Sequence, residues 1–336
     1  MIDVAVAGGG PAGLGAALYA ARAGLTVTVF EPRRPPIDKA CGEGLMPGAV
    51  RALQELGVSP EGAPLRGIRY LRDGRRAEAP FRSGPGRGVR RTTLHAALQD
   101  AAAGIPVVPE AVTELKQEAD AVVVNGHRAR FLLAADGLHS PTRRRLGLEV
   151  TTSGPRRYGL RAHAMAPPWT DFVEVHWAPG AEAYVTPLGP SLVGVAVLTA
   201  EPGPFETLLR RFPRLRERLA DAPVTPAMGA GPLRQRSQRR VAGRVLLVGD
   251  ASGYLDALTG EGIAVGLAQA RVAVQAVAAD RPGDYEAAWR RVNRRYQLIT
   301  QGLLGATRIP PARRALVPVA AAVPALFGAV VNQLAR

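Results

Sequence analysis

The chain has one cysteine, two lysines and an aromatic share of only 5% in 336 residues. A single thiol, Cys41, excludes an internal disulfide and any thiolate-rich metal site, and it fits a reducing, cytoplasmic compartment. The five histidines (His95, His127, His139, His163 and His176) show no ligand-like spacing, so no metal is expected. No apolar run reaches the ~20 residues a membrane-spanning helix needs. The first residues, IDVAVAG, read as a strand without a charged leader or signal segment. Positive charge is plentiful: the net value is +15, almost all from arginine. The arginines are spread along helices and hairpins with little aromatic interleaving, and the densest run, RQRSQRR at 234–240, is followed at once by a strand of buried type. That pattern fits a solvated surface and speaks against nucleic acid as a partner.

What remains is a globular composition, 47% hydrophobic, long enough for one large domain or two interleaved ones. Residues 2–31 run from an apolar strand through Gly8, Gly10 and Gly13 into an alanine-rich helix and a second strand ending in Glu31. Gly8 permits a tight turn, Gly10 admits a pyrophosphate, and Gly13 lets the helix close on the sheet. The helix N-terminus offers free N–H groups and the positive end of its dipole to a diphosphate. Glu31 is placed for ribose hydroxyls, so the segment reads as a dinucleotide site; it does not choose between FAD and NAD. Two further strands break into similar chemistry: LLAADGLHSPTRRRLG at 132–147, with Asp136-Gly137, and RVLLVGDASGYLDALTGEGI at 244–263. In the latter, Gly249-Asp250 suits a polyol and Gly260-Glu261-Gly262 presents a helix start to an electron-rich ring edge. Three such strand ends imply one extended ligand lying along the carboxyl edge of a sheet. Singly, Asp136-Gly137 could be an ordinary turn and Asp250 a helix cap.

At these residues the chain resembles a known family. GGGPAG, ADGLHSPTR and VGDASGYLDALTGEGI look like the three FAD motifs of the para-hydroxybenzoate hydroxylase fold. ACGEGLMPGAV with LDALTGEGI is most similar to its geranylgeranyl reductase-like branch, and within it to flavoproteins that accompany type III polyketide synthases and hydroxylate alkylresorcinols. The resemblance covers about residues 1–300 and implies an α/β fold: a Rossmann-like FAD-binding domain, an inserted antiparallel-sheet substrate domain and a helical C-terminus. Motif placement then assigns 1–65, 83–150 and 233–300 to a discontinuous FAD-binding domain. It gives 66–82 and 151–232 to the substrate domain, and 301–336 to an apolar helical segment.

Carried over by position, Gly8, Gly10, Pro11, Ala12 and Gly13 would meet the diphosphate, and Glu31, with Pro32 and Arg33, the adenosine ribose. Arg91 matches the family arginine near FAD. Cys41 and Gly42 would lie beside the flavin ring, Asp136 and Gly137 would support FAD and a transient NAD(P)H site, and Gly249 and Asp250 would hold the ribityl chain. Gly260, Glu261, Gly262 and Ile263 would border the pyrimidine edge. No second G-x-G-x-x-G occurs, as in a fold without a nicotinamide domain.

Cys41 reads either as a small buried residue or as a group that donates a proton or positions substrate; Lys39 would favour its thiolate if their side chains meet. Residues 65–82 read as a hairpin turning at Asp73-Gly74, and 156–200 as four strands of an antiparallel sheet walling a mainly apolar cavity. His163, His176, Trp177 and Tyr184 are its polar candidates, with Cys41, Tyr184 and His176 taken as the catalytic set. The first expectation is an NAD(P)H-dependent monooxygenase: O2 and a flavin C4a-hydroperoxide hydroxylate an electron-rich aromatic or polyketide-type substrate. The second is a reductase of isoprenoid double bonds, and the third a flavin-bound partner protein without turnover. EAYVTPLGP stands where halogenases carry a tryptophan-rich motif and many prenyl reductases an aromatic-Trp-aromatic-Pro segment, which speaks against halogenation and counts against prenyl reduction. The uncharged tail at 315–331, interrupted by Pro318 and Pro324, is expected as a docked helical pair, with peripheral contact to a membrane surface as the alternative.

Overall fold

A computed structural model describes residues 1–154 and 156–336. Ile2–Ala7 is a strand fully buried from Val4 to Ala7, and it pairs in parallel with Val27–Phe30 on one side and His127–Ala134 on the other. Strands buried on both faces need such continuous apolar runs. The sheet continues to Val245–Leu247 and Val241–Ala242 beyond His127–Ala134, and to Val107–Val108 beyond Val27–Phe30. Ala7 lies opposite both Phe30 and Ala134, and Ala134 lies opposite Leu247. This register brings the residues that follow each strand (Gly8, Glu31, Asp136 and Gly249) to one edge.

Helix Pro11–Arg22 begins with proline at its first turn, where a missing N–H costs nothing. Its small residues pack against helix Gly262–Ala278, close enough that a Cβ on Gly15 would lie 2.5 Å from Leu267 Cδ2. Helix Asp284–Arg308 buries Tyr285, Trp289, Asn293, Tyr296 and Thr300 at three- and four-residue spacing, the stripe of a helix with one face inward.

The second sheet has seven strands in the order Met228–Ala230, Tyr158–Ala164, Leu192–Thr199, Ala181–Gly189, Phe172–Ala178, Gly67–Arg72 and Arg75–Pro80. The last two form the hairpin, with Asp73 and Gly74 at φ 47° and 80°, as a tight two-residue turn requires. One feature departs from the expected antiparallel sheet: the hairpin joins it in parallel, Gly67–Arg72 beside Phe172–Ala178. Parallel neighbours need a long connection, and about a hundred residues of intervening chain supply it. A three-stranded sheet, Gly44–Leu45, Gly86–Gly88 and Ala63–Leu65, stands between the two layers. At the C-terminus, helices Pro310–Ala322 and Pro324–Leu334 meet at a 103° bend. Val317, Phe327 and Val331 share a buried cluster with Ile68, Ala77 and Ala79 of the hairpin. No single helix among the described residues is long and apolar enough to cross a membrane.

Candidate functional site

Gly8 sits at φ +100°, where an added Cβ would lie 2.5 Å from the Ala135 carbonyl oxygen; a Cβ on Gly13 would overlap the Gly8 carbonyl oxygen. The two glycines therefore let strand, turn and helix close on each other. Gly10 is different, because the nearest atom to a Cβ there is Arg91 Nη2 at 3.7 Å. That leaves a cradle at the helix start, bordered by a guanidinium. Arg91 is buried, and its Nε has no protein hydrogen-bond partner. Burial pulls that guanidinium below its ordinary pKa, and the nearby Cys41 and Asp250 act in the opposite sense. A buried cation with an open donor beside a glycine cradle suits an anionic phosphate group.

Glu31, at the end of Val27–Phe30, accepts the Gly9 N–H (2.8 Å) and both the N–H and Nε of Arg33 (2.9 and 2.8 Å). Burial alone would raise its carboxyl, but these hydrogen bonds outweigh it and hold the group below the usual range. His95, which the sequence reading passed over as a ligand, supports the same turn through Nε2 to Gly9 O at 3.0 Å.

At the third motif, Gly249 donates to Gln269 Oε1 (2.8 Å), which fixes the strand end on helix Gly262–Ala278. Asp250 is paired with Lys39 Nζ at 3.0 Å. The lysine thus meets Asp250 across the site, and the Lys39–Cys41 pairing considered from the sequence is not what its ammonium forms. Glu261, at the start of the helix, is buried with Oε2 unpartnered, and burial pushes its carboxyl up to about 8. It is mainly protonated near neutrality, so it can donate as well as accept a hydrogen bond. Gly260, at φ +70°, and Gly262 keep this turn free of side chains; Ile263 follows within the helix.

Asp136 turns back on its own chain. Its carboxylate accepts the Ser140 hydroxyl and the Thr142 N–H (2.9 Å), bracing the start of Pro141–Arg145. Gly137, at φ +87°, has nothing within 4 Å of a Cβ position. The same segment supplies a residue the sequence reading missed: Arg143 is fully buried and donates to Ala251 O (3.0 Å), Leu138 O (2.9 Å) and Gln235 Oε1 (3.1 Å). It ties the second motif to the third.

The loop carrying Cys41 is held from several directions. Glu43 is buried at φ +58°; its Oε1 accepts the Arg91 N–H (2.8 Å) and its Oε2 pairs with His163 Nε2 (2.7 Å). Arg161 Nη1 contacts His163 Nδ1 at 3.2 Å. A guanidinium only donates, so Nδ1 accepts and the imidazole proton resides on Nε2, directed at Glu43. Thr186 Oγ1 donates to Gly42 O (2.8 Å), and Asp38 pairs with Arg161. Gly42 has no atom within 4 Å of a Cβ position, so the backbone there is open to a flat ligand. Cys41 Sγ accepts the Glu43 N–H at 3.4 Å, is only half-buried, and keeps its own S–H available.

The sheet wall divides the remaining candidates. Tyr184 and Glu182 lie opposite Val175 and Trp177, whereas His176 lies opposite Ala183. Side chains alternate faces along a strand. Tyr184 and Trp177 therefore share the face of the apolar cluster that includes Met46 and Leu258. His176 is on the other face with Glu174, its Nε2 3.2 Å from Glu174 Oε2. A two-residue period cannot put His176 and Tyr184 on one side, so these two members of the expected catalytic set lie on opposite faces of the sheet. Tyr184 does face the site, but its hydroxyl donates to Leu258 O (2.9 Å), and burial raises the phenol well above its ordinary pKa. Behind it, Glu182 is buried against Arg157 and Arg313, and Arg157 also reaches Asp256 (3.3 Å), so the wall is latched to the third motif.

The Gly10 cradle, the orphaned Arg91 Nε, the unpartnered Glu261 and the open backbone at Gly42 fit an FAD laid along the sheet edge. Among the described residues no cluster of His, Cys, Asp or Glu could hold a metal ion.

Comparison with known proteins gives the same class. Residues 1–192 match the family described as FAD binding domain. The chain is 32% identical over 324 residues to menaquinone reductase of Mycolicibacterium smegmatis, covering 85% of this chain and 79% of that one. It is 31% identical over 305 residues to digeranylgeranylglycerophospholipid reductase 1 of Methanopyrus kandleri, covering 81% and 79%. Among solved structures, a flavin-dependent brominase superposes with a TM-score of 0.84 at 17% identity, covering 100% of this chain and 94% of its own, a likeness of fold alone. The chain is an enzyme of the FAD-dependent oxidoreductase class. It belongs to the FAD-binding family of the para-hydroxybenzoate hydroxylase fold, with menaquinone and geranylgeranyl-lipid reductases among its relatives.

Proposed function

We propose that this oxidoreductase saturates a carbon–carbon double bond in the isoprenoid chain of a lipid, with NADPH or NADH as its reductant. One observation carries the reading. On the face of the sheet that meets the loop, the phenol and the imidazole are both engaged, and the thiol is free to give up a proton. Tyr184 donates to Leu258 O, and His163 is held at both nitrogens. A hydroxylase acting on a phenol needs a base that can reach the hydroxyl, and His176 is on the opposite face. The relatives point the same way, since menaquinone and digeranylgeranylglycerophospholipid both carry isoprenoid chains.

When bound and reduced by NAD(P)H, the flavin would supply a hydride, two electrons with one proton, to one alkene carbon. Cys41 Sγ would give a proton to the other carbon, and the thiolate left behind would regain its proton from water. Glu43, pinned by His163 and the Arg91 N–H, sets the height of the thiol through its own N–H. Arg91 and the helix at Pro11 would hold the diphosphate, Asp250 the ribityl chain, and Glu31 the ribose. The apolar cluster of Met46, Leu258, Trp177 and Tyr70 keeps water from the substrate chain.

Anaerobic turnover of a polyprenyl lipid with NAD(P)H, read by mass spectrometry, tests this. A product two mass units heavier, lost in Cys41→Ala and retained in Tyr184→Phe and His176→Gln, is expected. A product that requires O2 and gains one oxygen atom, from this lipid or from an alkylresorcinol, would instead establish the monooxygenase.

A further inference from the structure

From residue 287 to 336 the chain has eight arginines and no acidic side chain. All but Arg313 of these arginines are exposed. Within the same stretch the bend between helices Pro310–Ala322 and Pro324–Leu334 forms an elbow. Val319, Ala321, Ala322, Val323, Pro324, Ala325 and Leu326 are all apolar and all exposed. Val319, Val323 and Leu326 leave 49%, 46% and 56% of their surface to solvent, and Ile309 at the other end of the first helix leaves 55%. Single exposed apolar residues are ordinary, but an unbroken apolar corner on an acid-free, arginine-bearing segment is not.

We propose that this elbow is where the protein docks on an anionic lipid bilayer, lying in the headgroup region without crossing it. Each helix is too short to span, and the bent pair is apolar enough only when taken together. Charge selects the occupant. A second copy would bring another acid-free, arginine-rich segment against this one at a net charge of +15 per chain, whereas an anionic leaflet attracts it. The inner side of the elbow continues into the protein: Val317, Phe327 and Val331 belong to the cluster that runs through Trp177 to Met46 and Leu258 beside the third motif. One continuous apolar cluster thus links the surface that would touch lipid with the turn that would face the flavin. Entry of a lipid substrate along this cluster rests on the reductase reading; the docking does not.

The test uses the purified full chain and sucrose-loaded vesicles, either phosphatidylcholine alone or phosphatidylcholine with one quarter phosphatidylglycerol. Sedimentation with the anionic vesicles is expected, at least tenfold weaker with phosphatidylcholine alone. A Val323→Glu/Leu326→Glu variant should also bind the anionic vesicles at least tenfold more weakly, with an unchanged melting temperature because both sites are exposed. No sedimentation of the native chain, or equal sedimentation of the variant, would overturn the proposal. So would a concentration-dependent dimer, seen by light scattering, that the variant abolishes, since the elbow would then belong to a second copy. No substrate enters these measurements, so their outcome is separate from that of the turnover experiment.

Discussion

Gly13→Ala and Gly302→Ala are the same chemical change in the interiors of two helices, and the structure assigns them opposite signs. Replacing glycine by alanine inside a helix gains about 0.5–1 kcal/mol from backbone entropy and propensity alone. Gly302, in Asp284–Arg308, has nothing within 4 Å of a Cβ position, so it should realise that gain. At Gly13 the new methyl would overlap the Gly8 carbonyl oxygen, lie 3.0 Å from the Gly8 carbonyl carbon and 3.4 Å from Ala135 Cβ. Gly8 cannot easily retreat: its N–H is bonded to Phe30 O at 2.8 Å, and its own Cα faces the Ala135 carbonyl. The helix must move instead, at the ~1–3 kcal/mol typical of overpacking a tight contact. The propensity gain is common to both, so the two variants should differ by the overpacking cost, about 1–3 kcal/mol, seen as a urea midpoint for Gly302→Ala above that of Gly13→Ala. The moving helix start also carries the N–H groups meant for the diphosphate, so Gly13→Ala should bind FAD at least tenfold more weakly in a fluorescence titration, and Gly302→Ala should bind it normally. Unaltered FAD affinity in a destabilised Gly13→Ala protein would refute the placement of the cofactor on this helix.

Three further outcomes follow from the site. Arg91→Met should weaken FAD binding by tenfold or more, since a lost charge-assisted hydrogen bond is worth about 1.5–3 kcal/mol; unchanged affinity by equilibrium titration would remove Arg91 from the cofactor site. Glu261, with its carboxyl raised to about 8 by burial, makes the apo protein lose stability as pH climbs from the unfolded value of 4.5 towards 8, because the unfolded chain releases that proton first. Glu261→Gln should accordingly be stabilising at pH 8 and close to neutral at pH 4 in urea titrations; a pH-independent difference contradicts a protonated buried carboxyl. Tyr184→Phe removes the 2.9 Å bond to Leu258 O and should cost about 1 kcal/mol of stability while kcat stays within threefold; a tenfold fall in kcat would return the phenol to the chemistry.

The sequence makes the cofactor edge readable because its signals are local. A buried strand, a glycine turn and a small-residue helix are contiguous at residues 2–22, Asp250 follows its strand by three positions, and Gly260 precedes its helix by two. The hairpin at Asp73-Gly74 and the helical pair at the tail are local in the same sense. What sequence cannot supply is pairing across the chain. Glu43 and His163 meet over 120 residues, and Tyr184 and Leu258 over 74, with nothing in either neighbourhood to announce the partner. Lys39 is two positions from Cys41, yet its ammonium crosses to Asp250, because proximity in sequence fixes backbone distance and not side-chain direction. His176 looked equivalent to Tyr184 until strand register decided which face each occupies. The parallel seam between Gly67–Arg72 and Phe172–Ala178 was likewise hidden, since pattern reveals strands but not their neighbours.

The order of strands in the first sheet also governs how the polypeptide can be made. Ile2–Ala7, which is synthesised before either of the strands that flank it, is central and pairs with His127–Ala134, which in turn receives Val245–Leu247. Residues 127–129 are covered by the adjacent strand Val122–Val124, but until residue 247 has been synthesised Leu132–Ala134 presents an open apolar border, a template for mispairing between nascent chains. Loading of the prosthetic group is thereby placed late in biogenesis, and truncations ending before Val245 should accumulate as insoluble material.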